Sequence, residues 1–184
     1  MKIRWFGKPV SERCECARKE EFAVVFNSER AGLQKLALLL TANSEVAKRC
    51  LIHAFQECIE SSSVSKQWVL SWTRRMVIRN AISLVMSPGG RSFGDTNRNS
   101  GDQSIAFSPD DSLGVNAESE SILNLPELDR FVFVICVLER YSTHDCALLL
   151  GRSPREISRA RRRVGNQVEK INQLSNLSQN FAMR

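Results

Sequence analysis

The sequence predicts an all-α protein of two small helical domains joined by a flexible linker. Three observations carry this expectation. Apolar residues recur with the helical period over most of the chain, cap and stop signals bound each periodic run, and residues 87–121 are dense in Ser, Gly, Asn and Asp. A chain of 184 residues holds one large domain or two small ones, and 42% hydrophobic residues suffice for packed cores. A connection as long as 87–121 is out of place inside one compact unit, which favours two.

Residues 1–28 are charged and unassigned, and Phe22-Ala-Val-Val-Phe26 reads equally as a strand or as one side of a helix. From Glu29 the period is clear, with Leu33, Leu36, Ala37 and Leu40 on one stripe. Ser44 is expected to cap the next helix, whose apolar face runs Ala47, Cys50, Leu51, Ala54, Phe55, Cys58 and Ile59 before Ser61–Ser65 ends it. A third helix, Lys66–Met86, carries Trp68, Val69, Trp72, Met76, Val77, Ala81 and Leu84 and stops at Pro88-Gly89-Gly90. Residues 29–86 form the first expected domain.

The second expected domain, 122–172, opens at Leu125-Pro126-Glu127 with a helix burying Phe131, Val132, Val134, Ile135 and Leu138. Ser142, with Asp145 three residues on, starts a helix through Cys146, Ala147, Leu149 and Leu150 that breaks at Gly151. Ser153-Pro154-Arg155-Glu156 is a fuller start signal: a serine cap, proline at the first helical position and glutamate at the third. The last helix runs through Ile157, Ala160, Val164 and Val168 to about Ile171, and 173–184 form a tail.

The net charge of +6 points to a polyanionic partner, and its distribution narrows the choice. Both expected domains are basic while the linker is acidic, and 19 of the 26 basic residues are arginine, whose planar fork suits guanine edges and phosphates. No signal peptide is expected at Met1–Val10, and no run approaches the length of a membrane span, so a cytoplasmic protein without membrane contact is expected. The six cysteines are then expected as reduced thiols, Cys50, Cys58, Cys136 and Cys146 serving as small hydrophobes. Cys14 and Cys16 lack a second pair at zinc spacing, so no metal is expected. No phosphate loop or nucleophile-and-base grouping is evident. The expectation is a binding protein without cofactor or catalysis.

Ala147, Gly151 and Ile157 place a small residue, a turn glycine and a branched apolar residue as a helix-turn-helix requires. At about 100° per residue, Ile157, Ala160 and Val164 share one face, and Arg155, Arg159 and Arg162 share the opposite one. Between Gly151 and Arg163 there are six arginines and one acid. Arg155, Ser158, Arg159 and Arg162 are the candidates for base edges, and Arg152, Arg161 and Arg163 for phosphates.

The run LPELDRFVFVICVLERYSTHDCALLLGRSPREISRARRRV resembles region 4 of RNA polymerase sigma factors of the extracytoplasmic-function type. LLLTANSEVAKRCLIHAFQE and TRRMVIRNAI are similar to the helices of region 2 in the same family. The resemblance implies a transcription initiation factor whose partners are promoter DNA, core RNA polymerase and an anti-sigma protein. It assigns Asn80 to the melted promoter strand, with Trp68 and Trp72 as stacking candidates. Where the family offers acidic and Gln-Glu side chains to the polymerase clamp, Lys48, Arg49, Ile52 and His53 stand here. That departure keeps two alternatives open: a diverged helix-turn-helix regulator that no longer binds polymerase, and a protein-interaction module such as an anti-sigma factor.

Limited proteolysis tests the domain division. Cleavage is expected first between Gly89 and Ser121, leaving two resistant helical fragments by mass spectrometry; uniform resistance across that stretch would refute the linker.

Overall fold

The computed structural model describes residues 16–61, 64–86 and 117–167, and most of these are helical. Among the described residues there is no strand, and one antiparallel bridge joins Cys16 to Ser65. The helices are α1 (Lys19–Ser28), α2 (Arg30–Thr41), α3 (Ser44–Glu60), α4 (Val69–Met86), α5 (Ala117–Leu123), α6 (Glu127–Phe133), α7 (Thr143–Leu150) and α8, residues 154–167. A 3-10 turn, Lys66–Trp68, leads into α4, and a π-helical turn, Val134–Leu138, continues α6.

The open segment at Phe22–Phe26 is helical, because Phe22 and Phe26, four residues apart, both enter the core while Val24 stays exposed. The cap of α3 is Asn43 rather than Ser44. Its Oδ1 accepts from the Glu45 and Val46 amides at 3.0 and 3.1 Å, and Ser44 is the first helical residue. Ala42, in the left-handed conformation with φ 52°, makes the bend between α2 and α3.

Two expected core residues lie outside. Trp68 is 59% exposed, because the tighter 3-10 turn takes it off the stripe that α4 buries. Leu138 is 45% exposed, because the π turn places more residues in each revolution and rotates it off the buried face, on which Cys136 lies as expected. Residues 117–121, placed in the expected linker, lie in α5, which begins at Ala117 and buries Ser119. Residues 87–116, the tail 173–184, Cys14, Val168 and Ile171 lie outside the described residues.

α1 to α4 pack as a bundle, and α2 and α4 go on to meet the C-terminal helices, so that one apolar core runs from Ala17 to Ala160. Polar contacts cross the same junction. The Arg74 side chain on α4 grips the Glu139 carboxylate through two hydrogen bonds, its Nε donating at 2.8 Å, and the Glu139 side chain is only 8% exposed. That pairing raises the Arg74 guanidinium above its ordinary value. Arg130 on α6 donates to the Leu40 carbonyl at 3.3 Å and to the Leu125 carbonyl at 3.4 Å. Among the described residues no helix is long and apolar enough to cross a membrane.

The buried carboxylate of Glu139 makes the junction sensitive to its partner. Arg74→Ala should lower thermal stability by about 1–3 kcal/mol, and adding Glu139→Ala should cost less than the two single changes summed. Additive costs in calorimetry would mean that the pair contributes nothing as a pair.

Candidate nucleic-acid interface

α7 and α8 are joined by residues 151–153, and three local devices shape the connection. Ser142 caps α7, its hydroxyl accepting from the Asp145 amide at 3.1 Å and donating to the Asp145 carboxylate at 2.6 Å. Gly151 closes α7 at φ 60°, while the Gly151 and Arg152 amides donate to the Leu148 and Ala147 carbonyls at 3.4 and 3.0 Å. A side chain at this glycine would find open space, so the requirement is the left-handed backbone itself. Ser153 and Glu156 then form a reciprocal box. Glu156 Oε2 accepts from the Ser153 amide at 2.9 Å and hydroxyl at 2.8 Å, and the Glu156 amide donates back to Ser153 Oγ at 3.3 Å.

α8 divides by face as its period predicts. Ile157, Ala160 and Val164 are buried, while Arg155, Arg159 and Arg162 are exposed and with Pro154 and Ser158 line one shallow groove. The Ser158 hydroxyl donates to the Pro154 carbonyl at 2.8 Å, so its polar capacity is partly used inside the helix. Arg152 and Arg161 are exposed as well, and the Arg161 charge reaches Cys136. Cys136 is drawn below the ordinary thiol range first by its hydrogen bond with Cys146 and then by Arg161, against the opposing effect of burial.

Arg163 is placed differently from its neighbours. Its Nε and Nη2 donate to the two oxygens of Asp129 at 3.1 and 2.5 Å, and the Asp129 side chain is 4% exposed. Its charge is therefore already matched within the fold, against its expected place among the phosphate contacts.

The residues assigned to a melted strand do not gather. Asn80 is 6% exposed, and its amide nitrogen donates to Glu57 at 3.2 Å and to the Met76 carbonyl at 3.0 Å, so its donor hydrogens are engaged inside the fold. Trp72 is half-buried with its indole N–H out of reach of any described acceptor, whereas Trp68 stands outside. Lys48, Arg49, Ile52 and His53 do come together on the outer face of α3, where Lys48 Nζ pairs with Glu45 at 2.8 Å and Ile52 is 43% exposed.

Asp129, Arg130 and the Arg74–Glu139 pair escaped the sequence reading. A carboxylate three residues after Pro126, in the first turn of an apolar helix, was the visible signal for Asp129; nothing local marked the other three. No protein-family model and no curated protein matches the chain.

Hydrogen bonds from the Ser153 amide and hydroxyl hold the Glu156 carboxyl below its ordinary value of 4.5. The stabilisation this box lends is full above the ordinary carboxylate range and is lost as pH falls through the lowered folded value. The Ser153 amide resonance should therefore titrate with a midpoint below 4.5, and Glu156→Gln should abolish that titration. A midpoint at or above 4.5 would mean that the box does not form in solution.

Proposed function

We propose that this chain is a sigma-like transcription initiation factor that binds promoter DNA through α7 and α8, used as a helix-turn-helix, and directs RNA polymerase. The observation that carries the reading is the division of α8, in which three exposed arginines lie opposite a fully buried apolar seam, just beyond a glycine turn.

A helix of this kind fits the major groove of a duplex, and guanidinium forks match the O6 and N7 acceptors of guanine. Arg155, Arg159 and Arg162 take the reading role in this proposal, Ser158 a lesser one, and Arg152 and Arg161 the phosphates on either side. Of the residues assigned to the melted strand, Trp68 is the one suited to stacking, because its ring is exposed. In this reading the N-terminal helices form the polymerase-binding domain, with α3 as the docking face.

A specific observation favours a second reading, a DNA-binding regulator that has given up polymerase. The exposed face of α3 offers Lys48, Arg49, Ile52 and His53, a basic and apolar surface where the sigma resemblance calls for acid. Retention of core RNA polymerase in a pull-down, followed by promoter-dependent run-off transcription, separates the two. The protein-interaction alternative predicts no DNA affinity at all.

Anisotropy titrations on a duplex selected from a randomised pool test the shared core of both readings. Arg155→Ala or Arg159→Ala should cost about 1–3 kcal/mol on the selected duplex and relax discrimination. Arg152→Ala or Arg161→Ala should weaken all duplexes alike and lower the salt slope by about one. Identical behaviour of all four would refute the division of roles, and unchanged affinity in all four would refute DNA binding by α8.

A further inference from the structure

The seam that holds α8 is apolar and small, made of Ile157, Ala160 and Val164. Such contacts are non-directional, so they set the distance of a helix from its support better than its rotation about its own axis. Rotation is what a reading helix cannot leave loose. A side-chain head lies about 6 Å from the helix axis, and a roll of about 20° moves it by about 2 Å, enough to break a two-pronged bond to a base. A directional contact on the flank of α8 is therefore needed, and the Arg163–Asp129 bond has that geometry.

Arg163 lies about 80° around the helix from Arg155, between the outward arginines and the buried seam. Its fork meets both oxygens of Asp129, which fixes direction as well as distance. Asp129 is itself anchored: it is in the first turn of α6, where the helix dipole favours a carboxylate, and it is 3% exposed. A phosphate recruiting Arg163 would have to take it from this carboxylate and leave a buried negative charge without its partner.

We propose that Asp129 is a positioning residue for DNA reading, holding Arg163 so that the roll of α8 aims Arg155, Arg159 and Arg162 at base edges. This rests on the DNA-binding reading above. Arg163 is, on this assignment, part of the support of the interface and makes no phosphate contact.

The test uses the full chain, the duplex it selects from a randomised pool, and an unrelated duplex of equal length, below the unfolding temperature of every variant. Asp129→Asn keeps the volume and removes the charge; Arg163→Lys keeps the charge and removes the fork. Each should lower the ratio of selected to unrelated affinity about tenfold, with affinity for the unrelated duplex and the salt slope unchanged. An unchanged ratio in Arg163→Lys overturns the proposal, and that variant decides alone should Asp129→Asn fail to fold. It is overturned equally if Arg163→Ala weakens both duplexes alike and lowers the slope by about one, the signature of a phosphate contact. Failure of the unmodified chain to bind either duplex overturns the DNA reading itself, and shows before any variant is made.

Discussion

A cation taken out of water and given to backbone carbonyls holds the architecture at its centre. Arg130 is 7% exposed, and burial pushes its guanidinium below the ordinary arginine value, with Glu127 acting in the opposite sense. Its hydrogen bonds run to Leu40 and Leu125. The Leu40 carbonyl belongs to the last turn of α2, which has no partner within its own helix, and the Leu125 carbonyl lies in the bend between α5 and α6. One side chain thus satisfies two orphaned acceptors 85 residues apart in the chain and obliges α2 and α6 to meet.

The other arginines fall into place around that junction. Arg74 and Arg163 each spend the fork on a buried carboxylate, Glu139 in one case and Asp129 in the other, the first bond tying α4 to the end of the π turn and the second α8 to α6. Arg155, Arg159 and Arg162 point outward over an apolar seam instead. The same residue type therefore serves as internal clamp and as outward charge, and burial of the facing acid decides which. This is why an arginine-rich segment cannot be read as uniformly available to a polyanion. Arg163 is adjacent in sequence to Arg162 and differs from it in having Asp129 within reach.

The cysteines follow the same logic of environment over identity. Cys50 and Cys58 pack inside the N-terminal bundle, Cys50 donating to the Val77 carbonyl at 3.2 Å, and burial pushes both thiols up to about 12. They act as small apolar groups that also satisfy a polar neighbour. Cys136 and Cys146 meet one another where the π turn joins α7, and their shifts oppose each other, as expected of two thiols sharing one hydrogen bond. Cys16, by contrast, is exposed beside the bridge to Ser65.

Local chemistry was legible in the sequence for most elements that answer to their own residues, the α3 cap at Asn43 in place of Ser44 being the exception. The stripes of α2, α3 and α8, the Ser142 cap, the glycine turn and the Ser153–Glu156 box are set by contacts within about four residues, so periodicity and cap types alone determine them. Tertiary structure decided what local signals leave degenerate. Phe22–Phe26 became a helix because neighbouring helices cover Phe22 and Phe26, and Asn80 went inside because Glu57 lies opposite its amide. The π turn left Leu138 outside the core. Arg130, Arg74 and Asp129 acquired their roles from partners 34 to 90 residues away, and no spacing rule along the chain encodes which distant acid or carbonyl a guanidinium will meet.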